Sequence, residues 1–201
     1  MRSKLILILA AILTINCNGQ TASDYLISGK LKYELKDYKG AIADFTKAIE
    51  LNPEDTAAYY CRGVVKYLRK DYKGAIKDFS CVLDLDSNNI NAYFNRGFTK
   101  TLIEDHEGAV ADFTKTIERG PINADAFFNR GTSRSKINDL DGAIADFTKV
   151  IELKPGDAQS YYSRGLIKLI KGQKEEGCSD LRKAKQLGYI MAVDALMEYC
   201  Q

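Results

Sequence analysis

The chain's potentially reactive side chains are few, and their spacing does not suit catalysis. Its 201 residues include one histidine and five cysteines. The histidine, His106, occupies the helix-start position held by Tyr38 and Tyr72 in other segments. No histidines or cysteines stand at the spacing of metal ligands, and no glycine-rich run has the form of a phosphate-binding loop. The sequence therefore predicts no enzyme activity, no bound metal and no cofactor.

The side chains that recur in a pattern are arginines and aspartates. An aromatic residue, an arginine and a glycine come together in "YCRG", "FNRG", "FNRG" and "YSRG". An aspartate recurs beside a phenylalanine in "GAIADF" and its copies. A guanidinium beside a buried glycine needs a partner, and a carboxylate can accept two parallel hydrogen bonds from it. We therefore predict a ladder of internal ion pairs between two sets, Arg62, Arg96, Arg130 and Arg164, and Asp44, Asp78, Asp112 and Asp146.

Two registers are open for this ladder. The first segment carries Ser28 where the others carry arginine. If each arginine pairs with the aspartate of the preceding segment, Ser28 needs no partner and Asp180 is the unpaired carboxylate. Pairing within a segment would instead leave Asp44 unpaired. We favour the first register. The functional alternative is that the arginines line a basic groove for acidic peptides.

Both motifs repeat every 34 residues, which indicates a tandem array. The arginine is followed by Gly63, Gly97, Gly131 and Gly165. Each segment reads as two helices joined by a turn. In the second helix Ile42, Phe45 and Ile49 fall on one helical face. Proline ends three of these second helices, at Pro53, Pro121 and Pro155.

This pattern resembles the tetratricopeptide repeat family, whose small and aromatic positions are matched by Gly63, Ala75, Phe79, Pro53 and their copies. The resemblance implies an all-α, right-handed superhelical solenoid with a concave groove lined by the first helices. It covers residues 22–191, divided into repeats 22–55, 56–89, 90–123, 124–157 and 158–191. Residues 192–201 are predicted to form a C-terminal capping helix, which covers the last and most divergent repeat.

The resemblance also implies a peptide site on the first helices, formed by Tyr60, Phe94, Asn95, Phe128, Asn129 and Tyr162. The asparagines would hydrogen-bond a peptide backbone. The alternative is that the aromatics only pack against neighbouring first helices. We expect a non-enzymatic adaptor for a protein or peptide partner. A structural subunit of an outer-membrane assembly or secretion machine, or an accessory to a cell-wall enzyme, stays open.

The first residues read as an export signal. Arg2 and Lys4 precede an apolar run of about 11 residues, which is too short to span a bilayer and suits a signal peptide over residues 1–16. Cys17 after this run resembles a bacterial lipidation site, with residues 17–21 as a linker. Cleavage after Gly19 and an uncleaved anchor are the alternatives. We expect a place in the cell envelope, either lipid-anchored at the outer membrane or periplasmic.

Charge gives no indication of a nucleic-acid partner. The chain has 29 Lys and Arg residues against 27 Asp and Glu residues, and Arg2 and Lys4 in the leader supply the excess. A balanced remainder lacks the basic footprint of nucleic-acid binding. We expect contact with a membrane only through the lipid anchor.

The cysteines outside the leader differ in their expected pairing. Cys61 and Cys81 are predicted to face apart and stay unbridged. Cys178 and Cys200 lie equally far from a turn near Tyr189, so antiparallel helices would bring them level. Because an exported protein permits oxidation, we predict a disulfide between them, with Cα atoms below about 7 Å.

Overall fold

The structure, a computed structural model, describes residues 20–201, and all regular elements in that range are helices. The predicted leader, the lipidation residue Cys17 and most of the 17–21 linker lie outside the described residues. The eleven helices of the described part are α1 Ala22–Glu34, α2 Tyr38–Leu51, α3 Thr56–Leu68, α4 Tyr72–Leu85, α5 Ile90–Thr101, α6 His106–Arg119, α7 Ala124–Lys136, α8 Leu140–Leu153, α9 Ala158–Ile170, α10 Lys174–Gln186 and α11 Met191–Tyr199.

The helices form consecutive packed pairs, α1 with α2 through α9 with α10. We call α1, α3, α5, α7 and α9 the first helices and their partners the second helices. Turns of three or four residues join the two helices of each pair, which leaves room only for antiparallel neighbours. The prediction of five helix pairs followed by a short terminal helix is confirmed for residues 20–201. His106 begins α6, as expected from its position.

Each second helix except the last begins with the same side-chain cap. The carboxylate of Asp37 accepts a hydrogen bond from the backbone N–H of Gly40 at 3.0 Å, and Asp71 does the same for Gly74. Asp105 and Asp139 repeat this contact in α6 and α8. The cap satisfies a backbone donor that has no partner inside the helix, so the helix start is fixed locally.

The turn inside each pair contains one residue with a left-handed backbone. The positive φ angles lie between 62° and 77° and recur at Lys36, Lys70, Glu104, Asn138 and Gly172. This conformation costs an ordinary side chain roughly 1–2 kcal/mol, whereas glycine adopts it freely. Only the last two residues belong to types that favour it, so most of these turns hold their shape against local preference.

Close approach of the two helices in a pair explains the glycine of each arginine motif. A Cβ atom at Gly63 would stand 2.9 Å from the Phe79 ring and 3.3 Å from the Cβ of Asp78. Phe79 is buried, as are the equivalent Phe45, Phe113 and Phe147. The glycine therefore lets the phenylalanine pack against the backbone of the first helix, which also brings the preceding arginine next to the second helix.

The chain forms two compact units, one ending at Asp86 and one over Ser87–Gln201. The first unit holds α1–α4, and its core includes Ala41, Phe45 and Val65. The second holds α5–α11, with a core cluster of Ala143, Phe147 and Ile167. Within the described residues, no helix combines the length and apolar character that crossing a membrane requires.

The second unit ends with α11, which packs on α10. Ala192 and Ala195 of α11 are buried. A disulfide joins Cys178 in α10 to Cys200 just after α11, with Cα atoms 5.7 Å apart, inside the limit expected from the sequence. Cys61 and Cys81 are free thiols, each half-buried. The terminal helix is therefore held to the last pair by a covalent bond as well as by packing.

Candidate functional site

The arginine of each motif is fixed by a carboxylate in the same pair. Arg62 Nε donates to Asp78 Oδ2 at 2.9 Å, and its Nη2 donates to Asp78 Oδ1 at 2.8 Å. This is the bidentate geometry in which a guanidinium matches a carboxylate. Asp78 is almost fully buried, so the contact neutralises a charge that would otherwise be costly to bury.

The same geometry recurs in the following pairs and corrects the predicted register. Arg96 contacts Asp112 at 2.6 Å, Arg130 contacts Asp146 at 2.7 Å, and Arg164 contacts Asp180 at 2.7 Å. The preference for pairing with the preceding repeat was therefore wrong, and Asp180 is paired. The physical reason is the close helix approach at the glycine, which places each arginine beside the aspartate of its own pair.

A further basic residue beside each carboxylate was not predicted from the sequence. Lys66 Nζ lies 2.8 Å from Asp78 Oδ2, one helical turn after Arg62. The same position is occupied by Lys32, Lys100, Arg134 and Lys168, each within 2.9 Å of its aspartate. The signal was present, since a basic residue four positions after each arginine or Ser28 also repeats every 34 residues. The ladder thus carries two cations per aspartate in pairs two to five.

The arginines also contact the preceding pair, through a hydroxyl and not through a carboxylate. Arg62 Nη1 donates to Thr46 Oγ1 at 3.0 Å. In the second unit, Arg130 contacts Thr114 at 3.1 Å and Arg164 contacts Thr148 at 2.9 Å. The inter-repeat link that the sequence suggested therefore exists, although its acceptor is a threonine.

The first pair satisfies its aspartate differently. Ser28 donates to Asp44 Oδ2 at 2.6 Å, and Lys32 Nζ lies 2.7 Å from the same oxygen. The expectation that pairing within a repeat leaves Asp44 unpaired was therefore wrong. The hydroxyl of Ser28 and the ammonium group of Lys32 replace the bidentate guanidinium. Both reach the carboxylate because the two residues lie one turn apart on α1.

Aromatic rings support the guanidinium groups. Arg62 stacks over Tyr59 with 5.6 Å between its Cζ and the ring centroid, and Arg96 lies over Tyr93 at 5.7 Å. Phe127 and Tyr161 support Arg130 and Arg164 in the same way. Burial lowers the pKa of Arg62, but hydrogen bonds and the charge of Asp78 outweigh it and raise the pKa. The arginine heads are fixed inside the pairs, which favours the structural interpretation of the ladder over a free basic groove.

Three of the predicted peptide-site aromatic rings pack against the core phenylalanine of their own pair. The ring centroids of Tyr60 and Phe79 are 5.8 Å apart. Phe94 meets Phe113 edge-on at 5.7 Å, and Phe128 meets Phe147 at 5.5 Å. Each of the three rings on the first helices stays half-exposed. The core phenylalanine therefore fixes one face of each ring.

Tyr162 differs from the other three because its pair has Leu181 in place of the core phenylalanine. Its ring packs instead on Tyr189, at 4.8 Å, in the turn before α11. Burial raises the pKa of Tyr162, and the nearby Tyr189, Asp194 and Glu198 raise it further. The aromatic ring of the last pair therefore has a different support from its equivalents in the other pairs.

The side-chain amide of Asn129 is engaged in its own helix. Asn129 Nδ2 donates to the carbonyl oxygen of Asp125 at 2.7 Å. The backbone carbonyl oxygen of Asn95 accepts a hydrogen bond from the Thr99 hydroxyl at 2.6 Å, and the backbone carbonyl oxygen of Asn129 accepts one from the Ser133 hydroxyl at 3.0 Å. A peptide backbone would have to compete with Asp125 for the amide of Asn129. Between residues 20 and 201, no set of three acidic, histidine or cysteine side chains converges as metal ligands.

A cavity of about 200 Å³ opens between the first helices of the first unit. Its lining comes from α1, α2 and α3 and consists of Lys30, Tyr33, Phe45, Tyr60, Cys61, Val64 and Val65. Tyr60 is the only one of the predicted peptide-site residues among them. The free thiol of Cys61 therefore lies beside a ring that the sequence placed at a binding surface. Burial raises the pKa of this thiol, while the positive charge of Lys30 opposes the rise.

Comparisons with known proteins agree on the family. A model described as TPR repeat matches residues 29–69, and models described as tetratricopeptide repeat match residues 103–158 and 158–187. Together these matches cover more than half of the chain. A search of curated proteins found no significant match.

Solved structures share the fold over most of the chain. YrrB, described as a TPR protein with an unusual peptide-binding site, is 26% identical, with a TM-score of 0.85 over 92% of this chain and 97% of YrrB. A MamA protein is 24% identical, with a TM-score of 0.79 over 90% of this chain and 97% of its own. MamA from Desulfovibrio magneticus RS-1 is 19% identical, with a TM-score of 0.77, over 85% of this chain and 97% of its own. These structures confirm the predicted all-α tetratricopeptide fold. Because tetratricopeptide repeat models match residues 29–69, 103–158 and 158–187, more than half of its length, the chain belongs to the tetratricopeptide repeat family.

Proposed function

We propose that the chain is a non-enzymatic adaptor that binds a peptide segment of a protein partner on its first helices. The observation that carries this proposal is that each unit has half-exposed aromatic rings on its first helices, and each ring is backed by a buried ring or by Tyr189. Rings fixed from behind lose little conformational entropy on binding, so their exposed faces are suited to apolar contact with a partner.

The ion-pair ladder supports this proposal because it holds the first helices in place. Each arginine ties its first helix to the second helix of its pair. Arg62, Arg130 and Arg164 also contact a threonine of the preceding pair. Within each unit, first helices held by such contacts present their side chains in a preorganised arrangement. Similarity to YrrB is consistent with peptide binding, which is described for that protein.

Export to the cell envelope is the second part of the proposal. The basic start, the short apolar run and Cys17 of the sequence support a leader that is cleaved before a lipidated cysteine. The folded residues would then work outside the inner membrane, tethered by the lipid. Conditions there allow the disulfide between Cys178 and Cys200 to persist.

Site-specific photocrosslinking tests the binding surface. Thr132 is exposed one turn after Phe128 on α7, whereas Ala145 is exposed on α8 of the same pair. We expect a photoreactive residue at position 132 to crosslink a partner in cells, and the matched residue at position 145 to do so much less. Equal crosslinking from the two positions, or none from position 132, would contradict a first-helix site.

Metabolic labelling tests the anchor independently. We expect a palmitate analogue to label the protein and the label to disappear in the Cys17→Ser variant. A Cys178→Ser variant serves as the control that keeps the label. An unlabelled mature protein that begins at Gln20 would show ordinary cleavage and would remove the lipid anchor from the proposal.

A further inference from the structure

The cavity between α1 and α3 has the size of one amino-acid side chain. Its volume is about 200 Å³, below the roughly 300–1,000 Å³ typical of pockets for small molecules. Its walls are mainly carbon, from the rings of Tyr33, Phe45 and Tyr60 and from Val64 and Val65. Phe45 forms the buried floor. An aliphatic or aromatic side chain fits such a site better than a polar metabolite does, because the walls offer few hydrogen-bonding groups.

One positive charge lies at the edge of this cavity. Lys30 is exposed, lines the cavity, and makes no ion pair with any described residue. Its positive charge opposes the rise that burial causes in the pKa of the Cys61 thiol. The nearby carboxylate of Asp55 raises the pKa of this thiol. The same carboxylate accepts hydrogen bonds from the N–H groups of Ala57 and Ala58 at 3.0 and 3.1 Å. That carboxylate is already stabilised at the start of α3, so Lys30 is the charge left for a partner.

We propose that this cavity is the anchor site for an apolar side chain of a partner peptide, with an acidic residue next to it that pairs with Lys30. The inference rests on the proposed function, and it adds the residue chemistry that the first unit selects. The apolar side chain supplies buried contact area. The acidic neighbour determines the direction and the register of the bound peptide. Apolar peptides with a basic neighbour would bind less well, because their charge repels Lys30.

Cys61 provides a reporter inside the cavity, and Cys81 provides an internal control. Both thiols are free and half-buried, but only Cys61 lines the cavity. The mature protein is treated with N-ethylmaleimide at alkaline pH, and alkylation of each cysteine is followed separately by mass spectrometry. A side chain that occupies the cavity would slow alkylation of Cys61 and leave the rate at Cys81 unchanged.

Three short amidated peptides serve as probes at millimolar concentration. The first has a leucine followed by an aspartate among glycine and serine residues; the second has lysine in place of the aspartate; the third has serine in place of the leucine. We expect saturable protection of Cys61 by the first peptide, with a half-maximal concentration about threefold below that of the second, as one surface ion pair allows. The third should give no protection.

Two charge-reversal variants test the role of Lys30. In Lys30→Glu we expect the preference to invert, so that the lysine-containing peptide protects Cys61 better. Lys39→Glu reverses an exposed lysine of α2 in the same unit and should leave the preference unchanged. Both substitutions are on the surface, and thermal unfolding by circular dichroism confirms that the variants fold.

Three results would overturn the inference: equal protection by the aspartate and lysine peptides, protection of Cys81 as strong as that of Cys61, or no protection by any leucine-containing peptide. The proposed function fails differently, in the crosslinking experiment on α7. If crosslinking at position 132 succeeds while Cys61 is unprotected, the adaptor function stands and the apolar–acidic anchor in the first unit is wrong.

Discussion

The first and last helix pairs bury the same carboxylate with different partners. Asp44 in the first pair is held by Ser28 and Lys32, whereas Asp180 in the last pair is held by the bidentate Arg164 and by Lys168. The two carboxylates are similarly exposed, at 11% and 9%, but Lys32 is 37% exposed and Lys168 only 17%. Both pairs therefore neutralise the buried aspartate, but they do so with different side chains.

The two pairs also differ in their turns and their outer cover. The first pair turns through Lys36 at a φ of 62°, and the last through Gly172 at 77°. The last pair is covered by α11 and the disulfide, whereas α1 begins with a capping box between Thr21 and Asp24. One repeat sequence therefore tolerates changes at each of these points when a local contact compensates.

Removing the carboxylate should give the largest difference between the two pairs. We expect Asp180→Ala to lower the free energy of unfolding by about 3 kcal/mol, because two mostly buried cations lose their shared partner. Asp44→Ala should cost about 1 kcal/mol, since Lys32 can turn to water. Urea unfolding measures the loss, and amide hydrogen exchange assigns it to a pair. Equal losses would mean that the guanidinium adds nothing to its aspartate.

Breaking the disulfide should loosen α11, the helix that covers the last pair. The bond closes a loop of 22 residues, which the chain-entropy model makes worth about 3 kcal/mol. We expect Cys178→Ser with Cys200→Ser to raise hydrogen exchange in α10 and α11 and to lower the urea midpoint. Cys61→Ser with Cys81→Ser is the control, since those thiols are free. Unchanged exchange in α11 would show that packing alone holds the terminal helix.

Giving the first pair the arginine of the others should reduce the difference. Tyr25 stands 34 residues before Tyr59, where it can support a guanidinium as Tyr59 does for Arg62. We expect Ser28→Arg to stabilise the first pair by up to about 1 kcal/mol through a second cation on Asp44. Ser28→Ala, which only removes the hydroxyl, should cost about 1 kcal/mol. Destabilisation by the arginine, seen in urea unfolding, would show that α1 lacks room for it.

Exchanging the turn residues should give the smallest effect. Gly172→Ala should cost about 1 kcal/mol from backbone strain alone, because a Cβ there meets no atom within 4 Å. Lys36→Gly should stabilise by about 0.5 kcal/mol, as the relief of strain exceeds the added freedom of the unfolded chain. Gly156→Ala is the matched control, with equal space and no left-handed backbone. Thermal unfolding measures these changes. If Gly156→Ala destabilised the protein as much as Gly172→Ala does, backbone strain would not be the cause.

Much of the candidate site could be predicted because it repeats. Arg62, Asp78 and the half-exposed Tyr60 were all identified from the 34-residue period. Lys66 was missed although it follows the same period, since a lysine on a helix is ordinarily read as a solvated residue. The cavity at Cys61 was not predictable, because three helices supply its walls and only their packing sets its volume.

Local patterns along the chain were enough to predict the helix pairs and the residue types of the ladder. Apolar spacing, the Asp–Gly caps and the arginine–glycine motif are local features, so each copy specifies its helices independently. Which aspartate each arginine contacts depends on how the helices pack in three dimensions. Arg62 lies 16 residues before Asp78 and 18 after Asp44, and two identical carboxylates on neighbouring helices look the same along the chain. The contact distance at Gly63, where Phe79 leaves no room for a Cβ, brings the arginine to the aspartate of its own pair.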